Sequence, residues 1–480
     1  MLVDSSVIAI FSAATVVVHA LGIVHAAHAV MNVRSSQGTI AWAISLVTFP
    51  WLAIPLYWIL GRTKFHGYAE GLRLVYAQHH QLVSETYDEI AKFKVALPDK
   101  LAPLQPLAEA LTGLPFTSGN AAELLIDGEQ TYEAMLRAIA QATNYILLQS
   151  YIVNDDQAGK EFKEALIARA NQGVHIYFLY DEIGSNKLSR SYIKSLKRNG
   201  IQVSAFNTTK GRGNRFQLNF RNHRKILVVD GETAFVGGLN IGDEYLGKNP
   251  RLSPWRDTHM MMQGPSVQCL QSSFLRDWYW ATGNLLEVNW HIKANWDMNQ
   301  SAFVLPTGAA DRLPACNLFF VNAIDQAQTR LWIASPYFVP DESTLSALKL
   351  AAVRGIDVRI ILPNRPDHLF VYLCSFSYYT EMQAVGIKLY RYKNGFMHQK
   401  ILLIDEEMAG VGTVNLDNRS FFLNFEVMGF VADLRFVESV EKMLQNDLAA
   451  SVAVDLSEYE RKPLWFKLAV RISRLLAPLL

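Results

Sequence analysis

The chain has 480 residues, in which 45 Lys and Arg nearly cancel 44 Asp and Glu, for a net charge of +1. That length predicts two to four structural units rather than one core, and the charge balance argues against a dedicated nucleic-acid binder, for which a strongly basic domain is expected. Cys269, Cys316 and Cys374 are widely spaced and show no CxxC pattern, so a disulfide framework is not indicated and buried packing is their expected role, with a metal or redox role as the minor alternative.

Residues 6–31 form an apolar run without a formal charge, long enough to span a bilayer, and contain His19, His25 and His28. Histidines in such a helix read as packing or hydrogen-bonding groups, with an intramembrane functional role as the alternative. Ala27-His28-Ala29 has a weak look of a signal-peptide cleavage site, but Asp4 and the absence of Lys or Arg before the run argue against one. Residues 38–60 form a second uncharged run with Trp42, Trp51, Tyr57 and Trp58 as interface anchors, and Pro50 and Pro55 are expected to kink it. Only Arg34 is charged in the linker between the runs, whereas Arg62, Lys64 and Arg73 follow the second. The positive-inside rule therefore places the long C-terminal part in the cytoplasm, whether the runs cross twice or form a re-entrant hairpin.

Residues 67–120 read as a polar helical connector, interrupted by Pro98, Pro103, Pro106 and Pro115. Its Lys92 and Lys94 suit either a solvated helix face or contact with anionic headgroups. Beyond it a repeat becomes visible. Strands are expected at 144–153 and 330–339, helices at 160–171 and 342–353, C-cap glycines at Gly173 and Gly355, and further strands at 174–180 and 358–362. Strand, helix, strand in alternation predicts two α/β halves with mixed, largely buried sheets.

Each half then carries the same constellation. His223 and Lys225 lie two apart, so an extended strand turns both to one face. The apolar run 226–229 and the turn Asp230-Gly231 follow, then Gly237 and Asn240. His398, Lys400, Asp405, Gly412 and Asn415 repeat those offsets without a gap. An imidazole and an ammonium on one face of a rigid strand suit a phosphate. The chain shows no H-E-x-x-H motif or Cys/His cluster, and no metal or cofactor is expected.

This is the HxKxxxxD signature, and the chain resembles the phospholipase D superfamily. The resemblance implies that the two motifs meet at a pseudo-two-fold axis to build one active site. It further implies that Asp257 and Glu426 accept hydrogen bonds from the motif histidines and orient them; the alternative is that they merely pair with nearby Arg256 and Arg419. Asn240 and Asn415 match phosphate-binding positions, and the glycines allow close backbone approach. Asp230 and Asp405 belong to the motifs, with structural pairing as their expected role. By family habit His223 is the nucleophile and His398 the general acid and then base, an assignment that pseudo-symmetry allows to be reversed. Lys225 and Lys400 would offset charge on the phosphoryl oxygens.

The expected organisation is an α/β fold of two pseudo-symmetric halves with mixed β-sheets flanked by helices, preceded by two N-terminal membrane helices. Its parts are a membrane region at 1–61, a connector at 62–120, a first half at 121–295, a second at 296–460 and a basic amphipathic tail at 461–480. In the tail, Lys467, Arg471 and Arg474 fall within an apolar run headed by Trp465 and Phe466. That reads equally as an interfacial helix or as one packed on the catalytic domain. The stretch 210–215 reads as a basic lip for an anionic headgroup or as a solvated loop.

The paired apolar runs, GRTKF after the second, PYFVPD, VGTVNLDNRS, LNFE and the APLL ending are similar to bacterial cardiolipin synthases. That likeness implies transfer of a phosphatidyl group between two phosphatidylglycerols through a phosphohistidine, giving cardiolipin and glycerol. Its partners would be phosphatidylglycerol, cardiolipin and anionic membrane lipids, with no nucleic acid, at a bacterial inner membrane that the chain crosses more than once. A membrane-bound phospholipase D or another phosphatidyltransferase would use the same residues with a different acceptor. A phosphodiester nuclease would leave the apolar runs unexplained.

Overall fold

The structure is a computed structural model that describes residues 5–33, 36–61, 64–78, 80–210 and 219–480. Asp4, Arg34, Arg62 and most of the basic stretch 210–215 lie outside the described residues. The chain divides into two compact units, Met1–Tyr68 with Thr208–Phe220, and Ala69–Asn207 with Arg221–Leu480.

Among the described residues of the first unit, one helix is long and apolar enough to cross a membrane, Ala9–Asn32 within Ser5–Asn32. The second apolar run is not the expected second membrane helix. It breaks into Ser36–Thr48 and Pro50–Leu60, of 13 and 11 residues, each too short to span by itself. The break follows from Pro50, which lacks an N–H and disfavours helical backbone in the residue before it. Phe49 accordingly leaves the helix at φ −131° and ψ 55°. Ala26, Ala29, Leu46, Ala53, Ile54 and Tyr57 form the seam of the three helices. Gly22 lets the first two helices close up, because a Cβ there would lie 2.2 Å from the Leu46 carbonyl oxygen. Nδ1 of His28 bonds the Tyr57 hydroxyl at 2.8 Å, and Trp58 Nε1 donates to Nε2 of His25 at 2.8 Å. Nδ1 of His19 lies 2.9 Å from the Thr15 carbonyl oxygen. All three histidines thus serve as hydrogen-bonding groups.

The second unit begins with the helices Tyr68–Gln78, His80–Ala91 and Leu104–Thr112, of which the first starts at the unit boundary. Lys92 pairs with Glu89, and Lys94 with Glu109 at 2.7 Å. Two repeats follow. In the first, Tyr145–Ser150 pairs in parallel with His175–Tyr180, which pairs in parallel with Gln202–Ala205. On its other side Tyr145–Ser150 runs antiparallel to Ile226–Val229, followed by Thr233–Gly237 and Thr258–Gln263. The second repeat copies this order with Arg330–Ala334, Asp357–Pro363 and Lys388–Tyr392, then Ile401–Ile404, Met408–Gly412 and Asn424–Ala432. The expected helices begin under aspartate N-caps, Asp156 before Gln157–Ala170 and Asp341 before Glu342–Val353. Gly173 and Gly355 follow them with φ of 90° and 89°, the left-handed backbone that ends a helix readily only at glycine.

The two sheets are one hydrogen-bonded path. Thr117–Ile126 joins them, pairing at its start with Gln300–Thr307 and over the rest with Thr258–Gln263. Its register shifts between Thr117 and Asn120, where Gly119 takes φ 74°. The path folds back there so that the sheets stack face to face. A Cβ on Gly429 would lie 2.2 Å from Met260 Cε and 3.4 Å from Met262 Sδ of the opposing strand.

Candidate active site

The two motif strands sit at the join of the halves, held by backbone pairing that crosses between them. Arg221–Asn222 runs parallel to Asn424–Phe425, and Phe396–Met397 runs parallel to Trp255–Arg256. The His223 N–H donates to the Phe425 carbonyl oxygen at 2.9 Å, and the His398 N–H to that of Arg256 at 2.7 Å. Each histidine is thereby delivered to the acid of the other half. Nδ1 of His223 lies 2.8 Å from Oε2 and 3.1 Å from Oε1 of Glu426, while Nδ1 of His398 lies 2.8 Å from Oδ2 of Asp257. Both carboxylates are fully buried, and both histidines keep 7% exposure. Arg256, the alternative partner for Asp257, instead bonds Asp447 at 2.8 Å and Asp127 at 3.1 Å.

The motif histidines and lysines lie in the three-residue gaps 223–225 and 398–400, between the short strands Arg221–Asn222 and Phe396–Met397 and the apolar strands Ile226–Val229 and Ile401–Ile404. Nζ of Lys225 donates to the His223 carbonyl oxygen at 2.7 Å, and Nζ of Lys400 to that of His398. Burial pushes the Lys225 ammonium down to about 7 and that of Lys400 down to about 8, even with the buried carboxylates opposing the shift. Burial likewise pushes His223 down to about 4 against the pull of Glu426, with Lys225 adding to the fall. His398 is held well below the usual range by burial, then by Lys400 and Lys225. Burial raises Asp257. For Glu426 burial acts upward, but His223 and Lys225 together hold the carboxyl below its ordinary value. The centre thus favours two neutral imidazoles, each backed by a carboxylate at Nδ1.

Asp230 and Asp405 stand apart from this chemistry. Asp230 accepts from the N–H groups of Thr143, Asn144 and Tyr145 at 2.7–2.8 Å. Asp405 accepts from those of Gln328, Thr329 and Arg330 at 2.8–2.9 Å. Each pins the first strand of its repeat to the end of its motif strand, from left-handed backbone at φ 55° and 50°. Asn240 and Asn415 differ from each other. The Asn240 amide is engaged, with Oδ1 accepting from the Ile152 N–H at 3.0 Å and Nδ2 donating to the Tyr245 hydroxyl at 2.9 Å. Oδ1 of Asn415 is buried and has no hydrogen-bond partner among the described residues.

Three features escaped the sequence. Arg224, between His223 and Lys225, donates from Nη1 to both oxygens of Asp277 at 2.8 Å. Gln149 and Asn222 converge on the same carboxylate. A lone arginine between two motif residues and an apolar strand was the available signal, since a charge placed there needs a buried partner. Tyr151 packs edge-on to His223 at 4.9 Å, and Trp255 lies 5.1 Å from His398. Nothing in the spacing of either aromatic announces this.

Two neutral imidazoles and two buried ammonium groups, assembled from matching strands of two repeats, define a phosphodiester-processing centre of the paired-histidine type. The family model described as "Cardiolipin synthase, PLD-like domain" matches residues 135–278 and 320–448, one stretch in each repeat. Cardiolipin synthase A of Pseudomonas aeruginosa is 44% identical over 470 residues, covering 96% of this chain and 95% of that protein. Its counterpart in Pseudomonas fluorescens strain Pf-5 is 43% identical over 475 residues, covering 98% of both. Among solved structures, phosphatidylserine synthase of Haemophilus influenzae Rd KW20 shares the fold, with a TM-score of 0.61 at 16% identity over 78% of this chain and 99% of that one. The chain belongs to the cardiolipin synthase family with PLD-like domains.

Proposed function

We propose that the protein is a phosphatidyltransferase that condenses two phosphatidylglycerols into cardiolipin and glycerol. The observation that carries this reading is the crossed pair of carboxylate-backed imidazoles beside two buried ammonium groups. With Nδ1 occupied, Nε2 is the reacting atom of each ring. One Nε2, unprotonated, bonds phosphorus as the bond from phosphorus to the glycerol oxygen breaks, and that oxygen takes the Nε2 proton of the other ring. That ring takes part as the imidazolium once the bound phosphodiester and the carboxylate at its Nδ1 offset the charge. The hydroxyl of the second lipid then returns a proton to that ring while its oxygen displaces the histidine nitrogen. Lys225 and Lys400 neutralise the non-bridging oxygens in a site shielded from water, where such interactions are strongest. The unpartnered Asn415 Oδ1 belongs to an amide whose NH2 group suits a phosphoryl oxygen. One phosphodiester replaces another, so no nucleotide is consumed, and exclusion of water keeps the intermediate from yielding phosphatidic acid.

Membrane association is supported by Ala9–Asn32 and by exposed Ile10, Phe11, Val16 and Val17 along it. The tail adds a second apolar face. Helix Leu464–Leu475 buries Val470 and Ser473, and Arg474 lies 3.9 Å over the Tyr378 ring of helix Leu369–Gln383. Its other face exposes Leu464, Trp465, Leu468, Ile472 and Leu475, so one helix is both packed on the fold and amphipathic. We place the chain beyond Lys64 and Arg73 on the cytoplasmic side of an inner membrane, because those cations follow the last apolar helix.

The test is purified full-length protein in detergent–phosphatidylglycerol micelles without added metal or nucleotide, with products resolved by mass spectrometry. Cardiolipin with released glycerol is expected. Phosphatidic acid alone would make the protein a hydrolase.

A further inference from the structure

The pseudo-symmetry of the centre is broken in charge. Arg221, two residues before His223, corresponds to Phe396 before His398, and Arg419 corresponds to Glu244. Two guanidinium groups thus occupy positions at which the other repeat carries a phenyl ring and a carboxylate. The ends differ in shape as well. Tyr151 lies 4.9 Å from the His223 ring, and Lys225 Nζ is 5.3 Å from the Tyr151 ring centroid. The His398 ring is flanked instead by Trp255 at 5.1 Å and Phe396 at 6.1 Å.

Arg221 hydrogen-bonds the Tyr151 side chain, and both arginines act on that phenol. They also repel each other, which adds to the burial that lowers Arg419. Arg419 is fixed from behind, its Nη1 donating to the Leu479 carbonyl oxygen at 3.0 Å and its N–H to that of Leu480 at 3.1 Å. Carboxylates also stand near the pair, Asp417 and Glu426 acting on Arg419 and Asp181 on Arg221. Asp181 accepts from the N–H groups of Ile183, Gly184 and Asn222, and Asp417 from that of Ser420. Two arginines held near each other, beside a reacting histidine and without a symmetric counterpart, make a place for a second anion.

Resting on the synthase reading above, we propose that Arg221 and Arg419 form an acceptor subsite that binds the phosphodiester of the incoming lipid. A synthase needs such a subsite and a hydrolase does not, because water carries no phosphate. Three glycerol carbons join the two phosphates of cardiolipin, so the acceptor phosphate must lie within a short span of the reacting phosphorus. In-line displacement brings the acceptor hydroxyl in where glycerol leaves, beside the proton-transferring histidine. An anion subsite at the His223 end therefore makes His223 the acid and then base, and His398 the nucleophile, the reverse of the order that family habit implies. Nε2 of His398 bonds phosphorus while the departing glycerol oxygen takes the Nε2 proton of His223, which enters the step as the imidazolium backed by Glu426. The acceptor hydroxyl later gives its proton to His223 as its oxygen displaces His398.

The experiment gives one phosphatidyl-enzyme two acceptors. Full-length wild type, Arg221→Gln and Arg419→Gln are incubated with phosphatidylglycerol micelles and deuterated glycerol. Mass spectrometry then reads cardiolipin, formed with an anionic acceptor, against deuterated phosphatidylglycerol, formed with a neutral one. The ratio of cardiolipin to exchanged lipid is expected to fall about ten- to a hundredfold in each variant, with partial recovery in Arg221→Lys. An unchanged ratio in wild type and both variants overturns the subsite and leaves the synthase standing. Wild type that exchanges glycerol but forms no cardiolipin overturns the synthase reading and the subsite with it. Peptide mapping of the acid-labile phosphatidyl adduct supplies the second readout: an adduct on His398 is expected, and one on His223 overturns the assignment.

Discussion

Replacing Glu426 with Gln isolates what the crossed carboxylate contributes. Glutamine keeps the buried volume and removes the charge that faces Nδ1 of His223 at 2.8 Å. The geometry also dictates how the new amide turns. Nδ2 of Asn424 donates to Oε1 of Glu426 at 3.1 Å, so the glutamine oxygen stays at that position and its NH2 group points at the histidine. With the NH2 group at the 2.8 Å position, Nδ1 of His223 is placed to accept rather than donate, which moves the ring proton to Nε2. Loss of a charge-assisted hydrogen bond alone is worth about 1.5–3 kcal/mol, roughly ten- to a hundredfold in rate. The wrong tautomer carries the loss toward about ten-thousandfold, the scale seen when a triad carboxylate becomes an amide. The assay is the initial rate of glycerol release from phosphatidylglycerol micelles, with circular dichroism melting to confirm the fold. Nitrogen NMR of the histidine rings should show the tautomer change at His223 and none at His398. A rate loss below about tenfold, or a response at the His398 ring, would refute the crossed arrangement.

Other outcomes follow from the same geometry. Because Lys225 is pushed down to about 7 and Lys400 to about 8, both lose charge on the alkaline side, so kcat/KM should decline as pH rises through that window. Lys225→Arg should move the decline upward, since a guanidinium stays protonated, and an unmoved limb in both Lys→Arg variants would reject this origin. Asp277→Ala strands the buried Arg224 guanidinium and should cost about 3–5 kcal/mol in denaturant unfolding. A Cβ at Gly238 would lie 2.0 Å from Oδ1 of Asp257, so Gly238→Ala should push that carboxylate off His398 and lower kcat by about a hundredfold. Gly173→Ala meets no atom within 4 Å and is strained only by its φ of 90°, so it should cost about 1–2 kcal/mol of stability with unaltered kcat.

Much of the centre was legible because its signals are short-ranged. The two-residue spacing keeps Lys225 within reach of the His223 carbonyl oxygen and Lys400 within reach of that of His398, a local link that needs nothing from the rest of the chain. The helix-ending glycines Gly173 and Gly355 were readable for the same reason, since a left-handed residue is a local demand. The second apolar run shows the limit of composition. Its hydropathy predicted a spanning helix, yet Pro50 cut it into pieces of 13 and 11 residues. A kink was foreseeable from the prolines; a full break depends on how Phe49 leaves the helix.

The sequence by itself determined the paired motifs, their repeat and the family, because five demanding residue types recur at one spacing in two copies. Tertiary structure alone decided which acid meets which histidine. Glu426 is 203 residues from His223 and Asp257 is 141 from His398, separations that no periodicity spans. The exchange comes from parallel pairing of Arg221–Asn222 with Asn424–Phe425 and of Phe396–Met397 with Trp255–Arg256. It also comes from a sheet that continues from one half into the other through Thr117–Ile126. Backbone hydrogen bonds carry no side-chain identity, so a strand's choice of partner is settled by how the two sheets stack, and with it the assembly of the site.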